Sequence, residues 1–297
     1  MSHENADIPV NRVVRKLSVV GIAGNIILSA FKLIAGIIGS SGAMISDAIH
    51  SLSDVFATAI AAVGVVLSKK SADKEHPYGH ERFECIASLA LGLILAVTGA
   101  GIGWSGIKTI MAGDYASLAI PTLLPLVAAI VSIVTKEAMF RYTMHYAKQM
   151  NSAAFVADAW HHRSDALSSI GSLAGILGAR LGAPVMEPIA CVVIAACIIK
   201  VAVDILRDAL KKMLDTSCGT DVELELVDFI EKQDGVQRLD ELRTRMFGNQ
   251  IYVDVEIAAD GSIPLVEAHE IAERVHDGIE EKFPSVKHVM VHVNPYE

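Results

Sequence analysis

Two eight-residue stretches carry the same polar pattern. "DAIHSLSD" (47–54) and "DAWHHRSD" (158–165) share D-A-x-H-x-x-S-D. On a helix, residues four apart lie about 40° apart on one face. His50 thus stands over Asp54, and His161 over Asp165. Two neutral imidazoles and two carboxylates make four ligands whose charge cancels that of a divalent ion. Tetrahedral N₂O₂ coordination suits Zn²⁺. Asp47 and Asp158 share the same faces one turn earlier and are expected to support the ligands. His162 lies about 100° round from His161 and reads as a packing residue. Arg163 is expected to pair with a carboxylate. A single His-Asp pair would serve equally as interhelical hydrogen-bonding glue. Its repetition favours a shared ion.

The surroundings of these stretches are apolar. "NSAAFVA" precedes the second and "IGSLAGILGARLG" follows it. An ionisable side chain deep in lipid costs at least about 2.5–3.5 kcal/mol unless paired or facing water. The chain as a whole has 297 residues, 52% of them hydrophobic, a composition too apolar for an ordinary soluble protein. Its mean hydropathy is +0.44. The charge of −9 sits largely in the C-terminal part, which speaks against nucleic acid as a partner. The four cysteines (Cys85, Cys191, Cys197, Cys218) form no CxxC pattern and suit a reduced or lipid-buried setting. No cleavable signal peptide is expected, since the first 16 residues are polar.

A helix needs roughly 20 mostly apolar residues to cross a bilayer. Six runs qualify, at 17–39, 43–66, 83–110, 118–142, 153–180 and 185–207. Residues 1–16 form an N-terminal segment, 17–208 a six-helix membrane domain, and 209–297 a polar domain. Basic residues such as Arg12, Lys16, Lys69, Lys70, Arg141 and Lys211 cluster on one side. The opposite connections, "GSSG", "AGDYAS" and "ARLGAPVME", are nearly free of them. The positive-inside rule then makes both termini cytoplasmic. Spans two and five cross in opposite directions, so the repeated motif is antiparallel, with Asp54 and Asp165 near the midplane, where transporters bind substrate.

The polar part reads as α-β-β-α-β. "TDVELELVDFIEKQ" and "IPLVEAHEIAERVHDGIEEKF" have helical spacing. "QRLDELRTRMF", "NQIYVDVEIAAD" and "HVMVHVNP" alternate as half-buried strands do. An α+β sandwich follows, with helices on one face of a small sheet.

With HxxxD on spans two and five, six spans and an α+β tail, the sequence resembles the cation diffusion facilitator family over nearly its whole length. The resemblance implies a homodimer in the inner membrane that exports a divalent metal in exchange for protons, without an organic cofactor. It assigns His50, Asp54, His161 and Asp165 to the transport site, in the pattern of the zinc-type members. Fe²⁺ or Mn²⁺ export by the same architecture is the nearest alternative. A metal-sensing scaffold that does not transport is a more distant one. An enzyme is not expected: H-E-x-x-H is absent and no Ser/His/Asp triad is evident.

The same resemblance places a loop metal site at Asp73, His76 and His80 in "DKEHPYGH", although Pro77 and Gly79 also suit a purely structural turn. In the tail, the family's metal positions read Asp240, Asp254, His269, His292 and Asn294. Asp replaces His twice and Asn replaces Asp, so a weaker site built from Asp254, His269 and His292 is the expectation, or else a polar dimer contact. Finally, the family pattern pairs a basic residue at the start of span three with an acid after span six. Here those are Arg82 and Asp215.

Overall fold

The computed structural model describes residues 10–38, 42–113, 123–180 and 185–296. They form two compact units, Met1–Ala209 and Leu210–Glu297.

The first unit is helical: α1 (Val10–Ile38), α2 (Gly42–Ser68), α3 (Arg82–Ala112), α4 (Leu123–Gln149), α5 (Ala153–Arg180) and α6 (Met186–Met213). Their 27 to 31 residues exceed what a bilayer core requires. The ends differ from the sequence expectation in one way. α1 starts at residue 10 rather than 17, α4 runs to 149 rather than 142, and α6 to 213 rather than 207. Each extension is amphipathic ("VNRVVRK", "RYTMHYAKQ", "RDALKKM"). An apolar run marks only the lipid-crossing length, whereas the backbone hydrogen bonds continue past it.

Large apolar side chains point outward, among them Ile27, Ile34, Val97 and Trp104, each more than half exposed. Small and polar residues point inward. Ala57, Ala61, Ala87, Ala147, Ala154 and Ala157 are buried in one cluster with Val13, Leu17 and Phe155. This inverted distribution is what lipid as solvent selects. The stretches Arg12–Ala35 and Arg82–Ala112 are apolar enough to cross by themselves among the described residues. α4 and α5 carry Lys136, Glu137, Asp158, Arg163 and Asp165, which their neighbours must cover. α2 packs on α1, α3 and α5, and α4 on α1 and α5.

The second unit follows the order α7 (Thr220–Glu231), β1 (Arg238–Phe247), β2 (Gln250–Asp260), α8 (Leu265–Lys282) and β3 (Val286–Tyr296). The sheet order is β1-β2-β3, with β1 antiparallel and β3 parallel to β2. Ile251, Val253, Val255, Ile257 and Ala259 share one face of β2 and pack on Leu226 and Ile230 of α7 and Ile271, Val275 and Ile279 of α8. The alternate residues of β2, including Asp254 and Glu256, therefore face away from the helices.

Candidate functional site: a buried anionic cluster between α2 and α5

The α4–α5 turn fixes the register of α5. Asn151 takes a left-handed conformation (φ 50°). Ser152 Oγ then accepts a hydrogen bond from the Phe155 N–H (3.3 Å) and caps the new helix. From that start, α5 turns Asp158, His161, His162, Ser164 and Asp165 inward, all buried. α2 brings Asp54 to the same place, 1% exposed. One ligand atom from each of Asp54, His161 and Asp165 lies within 4.8 Å of the others. His161 Nε2 is 3.2 Å from Asp54 Oδ1. The side chains of His50 and Asp47 lie outside the described residues. Their backbone is in α2, with His50 one turn before Asp54.

Asp158 is apart from this triplet. Its Oδ1 accepts a hydrogen bond from Thr58 Oγ1 of α2 (3.1 Å). His162 Nε2 approaches its other oxygen at 3.7 Å, too far for a hydrogen bond, so His162 is a buried packing residue. Arg163 stacks over Phe140 at 4.4 Å and lies 3.8 Å from Glu137, the carboxylate partner expected for it.

The sequence reading missed a third contributor. Lys136 of α4 is completely buried and donates to Asp54 Oδ2, to Asp165 Oδ2 (2.9 Å) and to Asn25 Oδ1 of α1 (2.9 Å). The signal was present: a charged residue inside "AAIVSIVTKEAMF" needs a partner within the membrane. Counting basic residues only at span ends passed over it. A second buried lysine, Lys32 in "GNIILSAFKLIAG", donates to Ser51 Oγ of α2 (2.8 Å).

The loop triplet also assembles. Asp73, His76 and His80 each offer a ligand atom within 4.8 Å of the others. The segment is a turn, not a helix, with Gly79 at φ 105°. Asp73 Oδ1 accepts the N–H groups of Glu75 (3.0 Å) and His76 (2.8 Å), while Lys70 Nζ donates to Oδ2 (2.6 Å). The Lys70 hydrogen bond, followed by the His76 N–H, holds the Asp73 carboxyl far below the usual carboxylate range.

The tail set does not assemble within one chain. Asp254 and His292 line a cavity of about 200 Å³ on the open face of the sheet, together with Glu241, Arg243 and Glu256. His269 is on α8, which packs against the opposite face. Its side chain is 69% exposed and lies 3.7 Å from Glu273. The strand's period of two separates it from Asp254. Asn294 Nδ2 instead donates to Asp240 Oδ2 (3.0 Å). Arg82 begins α3, and Asp215 follows α6 with φ 51°. They belong to different units, and their pairing stays a proposal.

Ionisable groups converging from α2, α4 and α5 in a lipid-facing bundle define a polytopic membrane protein built around a buried charged cluster. Comparison with known proteins gives the family. The cation efflux transmembrane domain matches residues 18–214, and the cytoplasmic domain of cation efflux proteins matches 220–296. The chain belongs to the cation efflux (cation diffusion facilitator) family of divalent metal transporters. It is 36% identical over 287 residues to an uncharacterized transporter of Methanocaldococcus jannaschii, covering 95% of this chain and 99% of that one. It is 30% identical over 292 residues to the manganese efflux system protein MneP of Bacillus subtilis, covering 96% and 97%. It is 33% identical over 271 residues to the magnetosome protein MamB of Magnetospira sp. (strain QH-2), covering 91% and 92%.

Proposed function

We propose that the chain exports Zn²⁺ in exchange for protons, by alternating access, as a homodimer in the inner membrane with both termini cytoplasmic. The observation that carries this reading is the convergence of Asp54 from α2 with His161 and Asp165 from α5. His50, one turn before Asp54, completes an N₂O₂ set in this reading. Metal reaches the site from the cytoplasm and binds the imidazole nitrogens and carboxylate oxygens. Relative movement of helices then exposes the site to the far side. Protons compete there for the same lone pairs and release the ion. Without thiolate ligands the site binds moderately, which turnover requires. Asp158, held by Thr58, keeps α5 in register against α2.

A second reading is export of Mn²⁺ or Fe²⁺. It is favoured by the 30% identity to a protein named for manganese efflux, and by the two carboxylates among the three described ligands. Proteoliposome flux of Zn²⁺, Mn²⁺, Fe²⁺, Co²⁺ and Cd²⁺ under an imposed pH gradient separates the two. Zinc preference with proton counterflow supports the first. Manganese or iron preference supports the second.

A further inference from the structure

We propose that Lys136 is a tethered cation that competes with the transported metal for Asp54 and Asp165, and that it leaves this pair in every transport cycle. The proposal rests on the reading of Asp54, His161 and Asp165 as the transport site. A lysine ammonium has three donors and no acceptor. Lys136 spends two of them on the carboxylates contributed by α2 and α5, and the third on Asn25 of α1. Asp54 is divided accordingly, with Oδ2 facing Lys136 and Oδ1 facing His161.

A divalent ion held by this pair draws on the same two carboxylates, at about 2.0–2.2 Å. The ammonium would then lie beside a doubly charged ion in a water-poor interior, where like charges repel strongly. Both cations cannot occupy the pair. Exchange between them has two effects. The pair is never buried as two uncompensated carboxylates, which the membrane would penalise. The metal also binds only to the fraction of molecules in which Lys136 has withdrawn, which weakens its apparent affinity by that fraction. A flexible four-carbon stem lets the ammonium swing while Asn25 Oδ1 still accepts from it. Asn25 is wholly buried, so no bulk water competes for that contact.

The test is Zn²⁺ flux by the full-length protein in proteoliposomes, with KM and kcat measured separately. Lys136→Met removes the competitor. KM is expected to fall at least tenfold and kcat to fall with it, as release slows. Lys136→Gln keeps a donor for the carboxylates without the charge, and is expected to shift KM in the same direction by less. Asn25→Ala keeps Lys136 but removes its one partner outside the metal ligands among the described residues, so KM is expected to rise severalfold. Asp54→Asn is the reference. If it transports normally, the transport-site reading itself fails. If it is inactive while KM is unchanged or raised in the lysine variants, or unchanged in Asn25→Ala, the competition proposal is overturned and the transport site stands.

Discussion

His161 Nε2 lies 3.2 Å from Asp54 Oδ1, although the two residues are 107 positions apart in the chain. Each comes from its own copy of the D-A-x-H-x-x-S-D pattern, one on α2 and one on α5. The repeat therefore meets itself across the helix pair. Lys136 from α4 binds both carboxylates of the meeting point. Four helices, α1, α2, α4 and α5, supply the polar groups of this one cluster.

Selectivity should follow the ligand set. His50→Asp replaces an imidazole by a carboxylate in the proposed four-ligand site, and oxygen ligands suit Mn²⁺ better than nitrogen ligands do. The ratio of Mn²⁺ to Zn²⁺ flux is expected to rise by about tenfold or more, equivalent to about 1.4 kcal/mol. An unchanged ratio in competitive uptake would remove His50 from the ligand set.

Close packing of α2 on α3 depends on a missing methyl group. A Cβ added at Gly64 of α2 would lie 2.3 Å from Ala87 Cβ of α3. Overpacking costs about 1–3 kcal/mol, more than the roughly 0.5–1 kcal/mol that alanine gains over glycine within a helix. Gly64→Ala should destabilise the detergent-solubilised protein, and adding Ala87→Gly should restore most of the loss. Thermal unfolding of both proteins checks this. No rescue by the second change would mean that this contact is not the cause.

Much of the architecture was legible in the chain, for identifiable reasons. Six apolar runs and a 2-versus-3.6 periodicity in the tail are strong signals, and the helices and strands formed where they pointed. The HxxxD repeat was legible because the same spacing occurs twice. Lys136 was not, because a lone lysine six residues from the expected end of span four looks like an interfacial anchor until α4 is seen to continue to Gln149. His269 was grouped with Asp254 and His292 through the family resemblance, whereas within one chain it lies on α8, against the opposite face of the sheet. Nothing in the sequence spacing of Asn25 or Thr58 showed that they would meet Lys136 and Asp158, since those contacts depend on helix packing.

Acid should expose the role of Asp260 in the polar unit. The Ser262 N–H (2.8 Å), then the Ser262 hydroxyl (2.7 Å), hold its carboxyl below the usual carboxylate range. A depressed carboxyl stabilises the fold above its unfolded value of about 4 and loses that contribution as pH falls through the folded value. The fragment 210–297 has its own core and suits the measurement. Asp260→Asn should lower its Tm at pH 7, and the gap from the parent should narrow toward pH 2. A gap of equal size at both pH values would refute the charged hydrogen bonds as its source.

In the proposed function, the Asp54–His161–Asp165 cluster carries the transported ion. Zinc flux by Asp165→Ala, reconstituted beside the parent and shown by size-exclusion chromatography to be equally well folded, tests it most directly. Asp165 supplies one of four proposed ligands, and its loss leaves Asp54 as the one carboxylate of that set, shared between Lys136 and the metal. Flux is expected at or near the background of empty liposomes at every zinc concentration. Flux close to that of the parent, from a well-folded Asp165→Ala protein, would contradict it.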